Sequence, residues 1–122
     1  MLDFMTAITN ELRLVTSEAY HDRNTAAQVT YPYLTFDITR EPIERNVDGF
    51  YLDVDIFDHS TSYTGLFALE TALTDHFKDN RKLTDDLYIR FSFLGSNPIP
   101  TGDETIKRRN VRFYVRTDWR KK

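Results

Sequence analysis

The chain has 122 residues, of which 40% are hydrophobic and 14% aromatic, enough to build one core in one domain without covalent staples. It contains no cysteine, which excludes disulfides, thiolate metal sites and thiol nucleophiles. The formal net charge is −3 but unevenly placed: residues 107–122 carry +7 and the first 106 residues carry −10. Such asymmetry suits head-to-tail contact between copies as well as it suits nucleic acid, and no segment clusters the basic and amide side chains that read a DNA groove.

The opening Met1-Leu-Asp-Phe-Met-Thr-Ala-Ile lacks a basic leader followed by an apolar run, and nothing approaches a bilayer-spanning length, so a soluble, non-secreted protein is expected. Met5, Ile8, Leu12 and Val15 recur at intervals of three and four, which predicts an amphipathic helix from near Asp3 to near Ser17, with Asp3 and Glu11 on its other faces. Residues 20–30 have no sustained period and read as a flexible connection.

Leu34, Phe36 and Ile38 then alternate with Tyr33, Thr35 and Asp37, a strand that Pro32 confines to a beginning or an edge. The polar stretch from Arg40 to Gly49, ending in Asp48-Gly49, reads as a long hairpin loop. In the next strand Phe50, Leu52, Val54 and Ile56 point one way and Tyr51, Asp53, Asp55 and Phe57 the other. Ser60, Thr61 and Ser62 are candidate caps for a second helix whose buried stripe is Leu66, Leu69, Leu73 and Phe77, ending near Asn80.

Two further strands follow: Leu87, Ile89, Phe91 and Phe93 alternate with Tyr88, Arg90, Ser92 and Leu94, and Val111, Phe113 and Val115 alternate with Arg112, Tyr114 and Arg116. Residues 95–105 between them hold two prolines and two glycines and read as a long, flexible loop, with Asn97, Pro98, Ile99, Pro100 and Thr101 as its partner-binding stretch. The order αββαββ is most economically buried as an α+β two-layer sandwich spanning residues 1–122, a four-stranded antiparallel sheet with both helices on one face.

The uncovered face then collects acids on the first hairpin, arginines on the last two strands, and tyrosines throughout. Cross-strand ion pairing on a solvated sheet is the plainer reading. A self-complementary subunit interface through Tyr33, Tyr51, Asp53, Asp55, Arg90, Arg112, Tyr114 and Arg116 is the sharper one, because so many rings exceed what a wet face needs. Such a contact is heterologous and generates a ring or a filament.

Catalytic and metal chemistry find little footing. Asp53, Asp55, Asp58 and His59 are the one carboxylate and histidine cluster, but alternation splits it and turn or capping chemistry accounts for Asp58. His21 falls in the connection and His76 near a helix end, where a cation is favoured. There is no Gly-x-Ser-x-Gly elbow and four glycines leave no phosphate-binding loop, so neither a catalytic residue nor a cofactor is expected.

Tyr31-Pro-Tyr-Leu-Thr-Phe36, the polar hairpin, and Leu52-Asp-Val-Asp-Ile-Phe-Asp58 leading into the helix with Leu66, Leu69 and Leu73 together resemble the tail-terminator, or tail-completion, proteins of long-tailed bacteriophages. The resemblance spans nearly the whole chain in order and length. It implies an α+β virion protein, without catalytic residues, that forms a homohexameric ring on the tail tube, stops tail polymerisation and joins the tail to the head connector. It also implies monomers before assembly and DNA passing through the ring without sequence-specific binding. The alternatives are a head-closure or adaptor protein on the portal side, and a cytoplasmic small-molecule or nucleic-acid binding module that uses the aromatic and arginine face as a stacking platform.

Overall fold

A computed structural model describes residues 2–78 and 80–120. It contains α1 (Leu2–Val15), β1 (Ala19–His21), β2 (Tyr33–Glu44), β3 (Val47–His59), α2 (Thr64–Phe77), β4 (Arg81–Leu83), β5 (Leu87–Pro98) and β6 (Ile106–Trp119). The strands form one six-stranded sheet in the order β1-β2-β3-β6-β5-β4, in which β1 runs parallel to β2 and every other neighbour is antiparallel. This overturns the four-stranded antiparallel sandwich expected from sequence: the sheet is mixed, has two more strands, and curls into a half-barrel. The added strands have three residues each and no alternation, so periodicity does not reveal them.

The core forms where the pleat directs it. Phe50, Leu52, Val54 and Ile56 of β3, Val111, Phe113 and Val115 of β6, and Leu87, Ile89 and Phe91 of β5 are buried on the same side as Phe4, Ile8 and Leu12 of α1 and Leu66, Leu69, Leu73 and Phe77 of α2. The Phe4 ring stacks on Phe50 with centroids 3.9 Å apart, fixing α1 over the centre of the sheet. Met5 and Val15, expected in the buried stripe of α1, pack at its margin, while Glu11 is buried instead. Its carboxylate lies 3.2 Å from His76 Nε2 of α2 and 3.4 Å from Lys82 Nζ of β4, so one acid ties two helices to an edge strand.

Several connections differ from the sequence reading. The segment from Arg40 to Gly49 is mostly strand, and the hairpin turns at Arg45 and Asn46, with Asn46 in the left-handed region at φ 64°. Gly49 serves another purpose: a Cβ there would lie 1.9 Å from the Tyr114 hydroxyl, so the glycine makes room for that ring. At the second helix the Ncap is Tyr63, without a side-chain cap, and the Ser62 hydroxyl accepts from Thr64 N at 3.1 Å as part of a turn. Residues 20–30 contribute Tyr20 and His21 to β1, and residues 95–98 continue β5. Beyond Pro98 the chain turns on its own polar groups: Thr101 Oγ1 donates to Ile106 O at 2.8 Å, and Asp103 Oδ1 accepts from Thr105 N at 2.9 Å and Thr105 Oγ1 at 2.8 Å.

At the opposite end of the sheet Asp48 is buried, accepting from Arg40 Nη2 at 2.8 Å and from Trp119 Nε1 at 2.7 Å. Burial opposes its charge, but the bonds donated by Arg40 and Trp119 outweigh it and hold the carboxyl below the usual carboxylate range. Its contribution is therefore full above the unfolded value of about 3.9 and is lost as pH falls through the lower folded value. Measured by urea unfolding, the stability lost in Asp48→Asn should be level above about pH 5 and shrink below about pH 4; a loss that grows on acidification contradicts this. Gly49→Ala should destabilise by about 1–3 kcal/mol through overpacking against Tyr114, and by less in a Tyr114→Ala background; equal costs in both backgrounds would remove Tyr114 as the reason for the glycine.

Candidate interaction face

The face of the sheet away from the helices is built by cross-strand pairs. Register places Asp53 opposite Arg112, Tyr51 opposite Tyr114 and Phe57 opposite Arg108 on β3 and β6, with Tyr33 opposite Phe57 on β2 and Arg90 opposite Arg116 on β5. Every residue of the sequence-predicted interface from these strands, Tyr33, Tyr51, Asp53, Asp55, Arg90, Arg112, Tyr114 and Arg116, thus shares one face and is half-buried or exposed. The stretch from Asn97 to Thr101 does not join that group: it lies at the free end of β5 and the turn after it.

Within the chain, the charges on this face are largely paired. Arg108 Nη2 and Asn110 Nδ2 donate to the two Asp55 oxygens at 2.8 Å and 3.0 Å, and Arg112 Nε lies 3.2 Å from Asp53 Oδ1. Asp118 sits between Arg90 at 3.6 Å and Arg116 at 3.7 Å. The same guanidinium groups lie over rings: Arg112 is 4.6 Å from the Tyr51 centroid, Arg108 is 5.1 Å from Phe57, and Arg90 is 5.6 Å from Tyr88. Tyr51 meets Tyr114 edge to face at 5.2 Å. Burial raises the Tyr33 and Tyr114 hydroxyls above their ordinary value, so these rings carry no charge at neutral pH. The result is an aromatic surface with its arginines and aspartates balanced, while Nε of Arg90, Arg108 and Arg116 finds no acceptor among the described residues.

At one corner Tyr31, Tyr33, Phe57 and His59 form a chain of rings, with centroids 5.4 Å apart for Tyr31 and Tyr33, 4.8 Å for Tyr33 and Phe57, and 5.6 Å for Tyr31 and His59. Asp37, 69% exposed, has His21 as its neighbour at 3.5 Å. Sequence reasoning missed a β-bulge between Phe93 and Gly95 that reverses the pleat of β5. After it, Ser96 opposes Val111 on the helix side and bonds to Glu70 Oε2 of α2 at 2.8 Å, where Arg109 also reaches Glu70. Asp58 is buried against α2, where a Cβ on Gly65 would come within 2.5 Å of its carboxylate. Among the described residues no group of three or more His, Cys, Asp or Glu is placed to hold a metal ion, and no helix is long and apolar enough to cross a membrane.

No protein-family model and no curated protein sequence matches the chain. Among solved structures, it is similar to a chain of the virion of a native gene transfer agent particle, with a TM-score of 0.65, 13% sequence identity, and coverage of 88% of this chain and 84% of that one. At that identity the likeness establishes a shared fold along nearly the full length of both chains.

The two ion-pair settings should separate energetically. Arg112, 47% exposed, is expected to lose less than about 1 kcal/mol on Arg112→Ala, whereas Arg109, 17% exposed with Glu70 and Ser96 on it, should lose about 2 kcal/mol or more because Glu70 loses its cationic partner and keeps only the Ser96 hydroxyl. Urea denaturation of both variants checks the order, and a larger loss for Arg112→Ala contradicts it.

Proposed function

We propose that this protein is a structural component of a phage-like virion, assembled as a ring at the head-proximal end of the tail tube, where it ends tail polymerisation and forms the joint to the head. The observation that carries the proposal is the fold match, over 88% of this chain, with a chain of a gene transfer agent virion. The resemblance of the Tyr31–Phe36 and Leu52–Asp58 segments to tail-completion proteins supports the finer assignment. In this reading the protein is not an enzyme, needs no cofactor, meets the tail tube protein and the head connector, and lets DNA pass without sequence-specific contact.

The open face suits protein contact better than nucleic acid. Its arginines are already engaged by Asp53, Asp55 and Asp118, so the phosphate attraction that drives binding of single strands is largely cancelled. The same pairing changes the interface idea drawn from sequence. Asp53 and Asp55 are met by arginines of their own chain, so a neighbouring copy would contact a surface already organised rather than supply the missing charges.

In a particle-producing system, deleting the coding sequence should give tails of irregular length and heads without tails, and the added protein should bind the ends of purified tail tubes. Binding to tailless, filled heads but not to tube ends would favour the portal-side adaptor instead, and binding to neither would contradict a virion role.

A further inference from the structure

One row of the open face departs from the charge balance of the others. Register places Glu41, Gly49, Arg116, Arg90 and Arg81 opposite one another on β2, β3, β6, β5 and β4, so three guanidinium groups stand side by side on adjacent strands. Like charges in directly opposed positions repel and cost stability unless an anion lies between them. Within the chain that compensation is thin. Arg90 and Arg116 share Asp118 at 3.6 Å and 3.7 Å, both longer than a hydrogen bond, and Arg116 lies 3.8 Å from Glu44. Arg81 is exposed, and the one hydrogen-bond acceptor of its side chain among the described residues is the Tyr88 hydroxyl, at 3.5 Å. By contrast, Arg108 and Arg40 donate to aspartates at 2.8 Å.

The row runs from one free rim of the sheet to the other. β1 pairs only with Leu34–Phe36, so at Glu41 β2 is the outermost strand, while Arg81 stands on β4, the outermost strand of the opposite rim. Glu41 is exposed, forms no ion pair among the described residues, and is separated from Arg116 by Gly49, which carries no side chain. Backbone pairing along that rim is disfavoured, because Pro42 has no N–H and Ile38 N already donates to Asp37 Oδ1 at 2.9 Å, so contact falls to side chains. Where β4 begins, a cleft of about 260 Å³ is lined by Asn80, Arg81, Arg90, Phe91 and Ser92, with no carboxylate among them. A carboxylate entering it meets two guanidinium groups, an amide and a hydroxyl. The rest of the face holds its arginines on its own aspartates and attracts phosphate weakly, whereas a second copy offers, in the same row, a carboxylate that lacks a cation.

We infer that the cleft at Arg81 and Arg90 receives Glu41 from the β2 rim of a second copy of this chain. It is the contact between neighbours in the assembly proposed above and rests on that reading. Cation and anion lie in one row, so successive copies are displaced across the strands, in the heterologous arrangement from which rings are built. The arriving carboxylate offsets the repulsion that the row of arginines carries in the free chain.

Sedimentation of the full chain at low ionic strength, up to millimolar protein, tests the pairing. Glu41→Arg and Arg81→Glu should each weaken self-association about tenfold or more, and the two together on one chain should restore it to within about threefold of the wild type, because the exchanged charges still meet. Glu104→Arg, the same change of charge at an exposed acid outside the row, should leave association unchanged. Arg90→Gln should weaken association while the urea midpoint of the dilute chain stays equal to or above that of the wild type, because the row repels itself. No self-association of the wild type, single reversals without effect, no recovery in the double variant, an equal loss in Glu104→Arg, or a lower urea midpoint for Arg90→Gln overturns the docking. Because incorporation of the wild-type chain into particles is scored separately, failure of the contact is distinguishable from failure of the virion assignment.

Discussion

The long antiparallel pairing of β3 with β6, from Val47 opposite Asp118 to His59 opposite Ile106, is the constraint on which the other features depend. It fixes which residues share a face over the full length of both strands. One parity gives Phe50, Leu52, Val54 and Ile56 with Val111, Phe113 and Val115, a surface that only helices can cover; the other gives tyrosines, aspartates and arginines. A one-residue slip would exchange the two, burying Asp53 and Arg112 and exposing a row of aliphatic groups, so the register is strongly specified.

From that pairing the electrostatics follow. The acidic body and the basic last segment, apparent as a charge asymmetry along the sequence, are laid side by side, and the opposed charges meet within the chain. Exposed pairs of this kind stabilise the fold only slightly. Their larger effect is to hold guanidinium groups over Tyr51 and Phe57, giving the face a defined shape and little net charge. Such a surface neither repels a second copy nor strongly attracts a phosphate backbone.

Much of this was legible in the sequence, because strand alternation is a direct consequence of the pleat. The inward residues of the four long strands follow from period two, except Phe93, which shares the parity of Leu87, Ile89 and Phe91 but is 46% exposed; the composition of the opposite face follows from the same period. What escaped depends on partners remote in sequence. β1 and β4 exist because backbone groups of β2 and β5 meet them, and Ala19–His21 and Arg81–Leu83 carry no pattern of their own. The bulge before Gly95 shifts Ser96 to the helix side without any local signature beyond the glycine. Asp48-Gly49 looks like a turn, yet Gly49 is required by Tyr114 sixty-five residues away in sequence. Glu11 looks like a solvated helix position, and only the approach of His76 and Lys82 makes its burial tolerable.

The central claim is that the helix-free face of the sheet is the assembly surface. Mass-spectrometric footprinting of tyrosine accessibility, on the free chain and on the chain within particles, tests it most directly. Tyr31, Tyr33, Tyr51 and Tyr114 should lose reactivity on assembly while Tyr63 at the start of α2 keeps its own. Unchanged reactivity across the sheet face, with protection confined to Tyr63, would contradict the account.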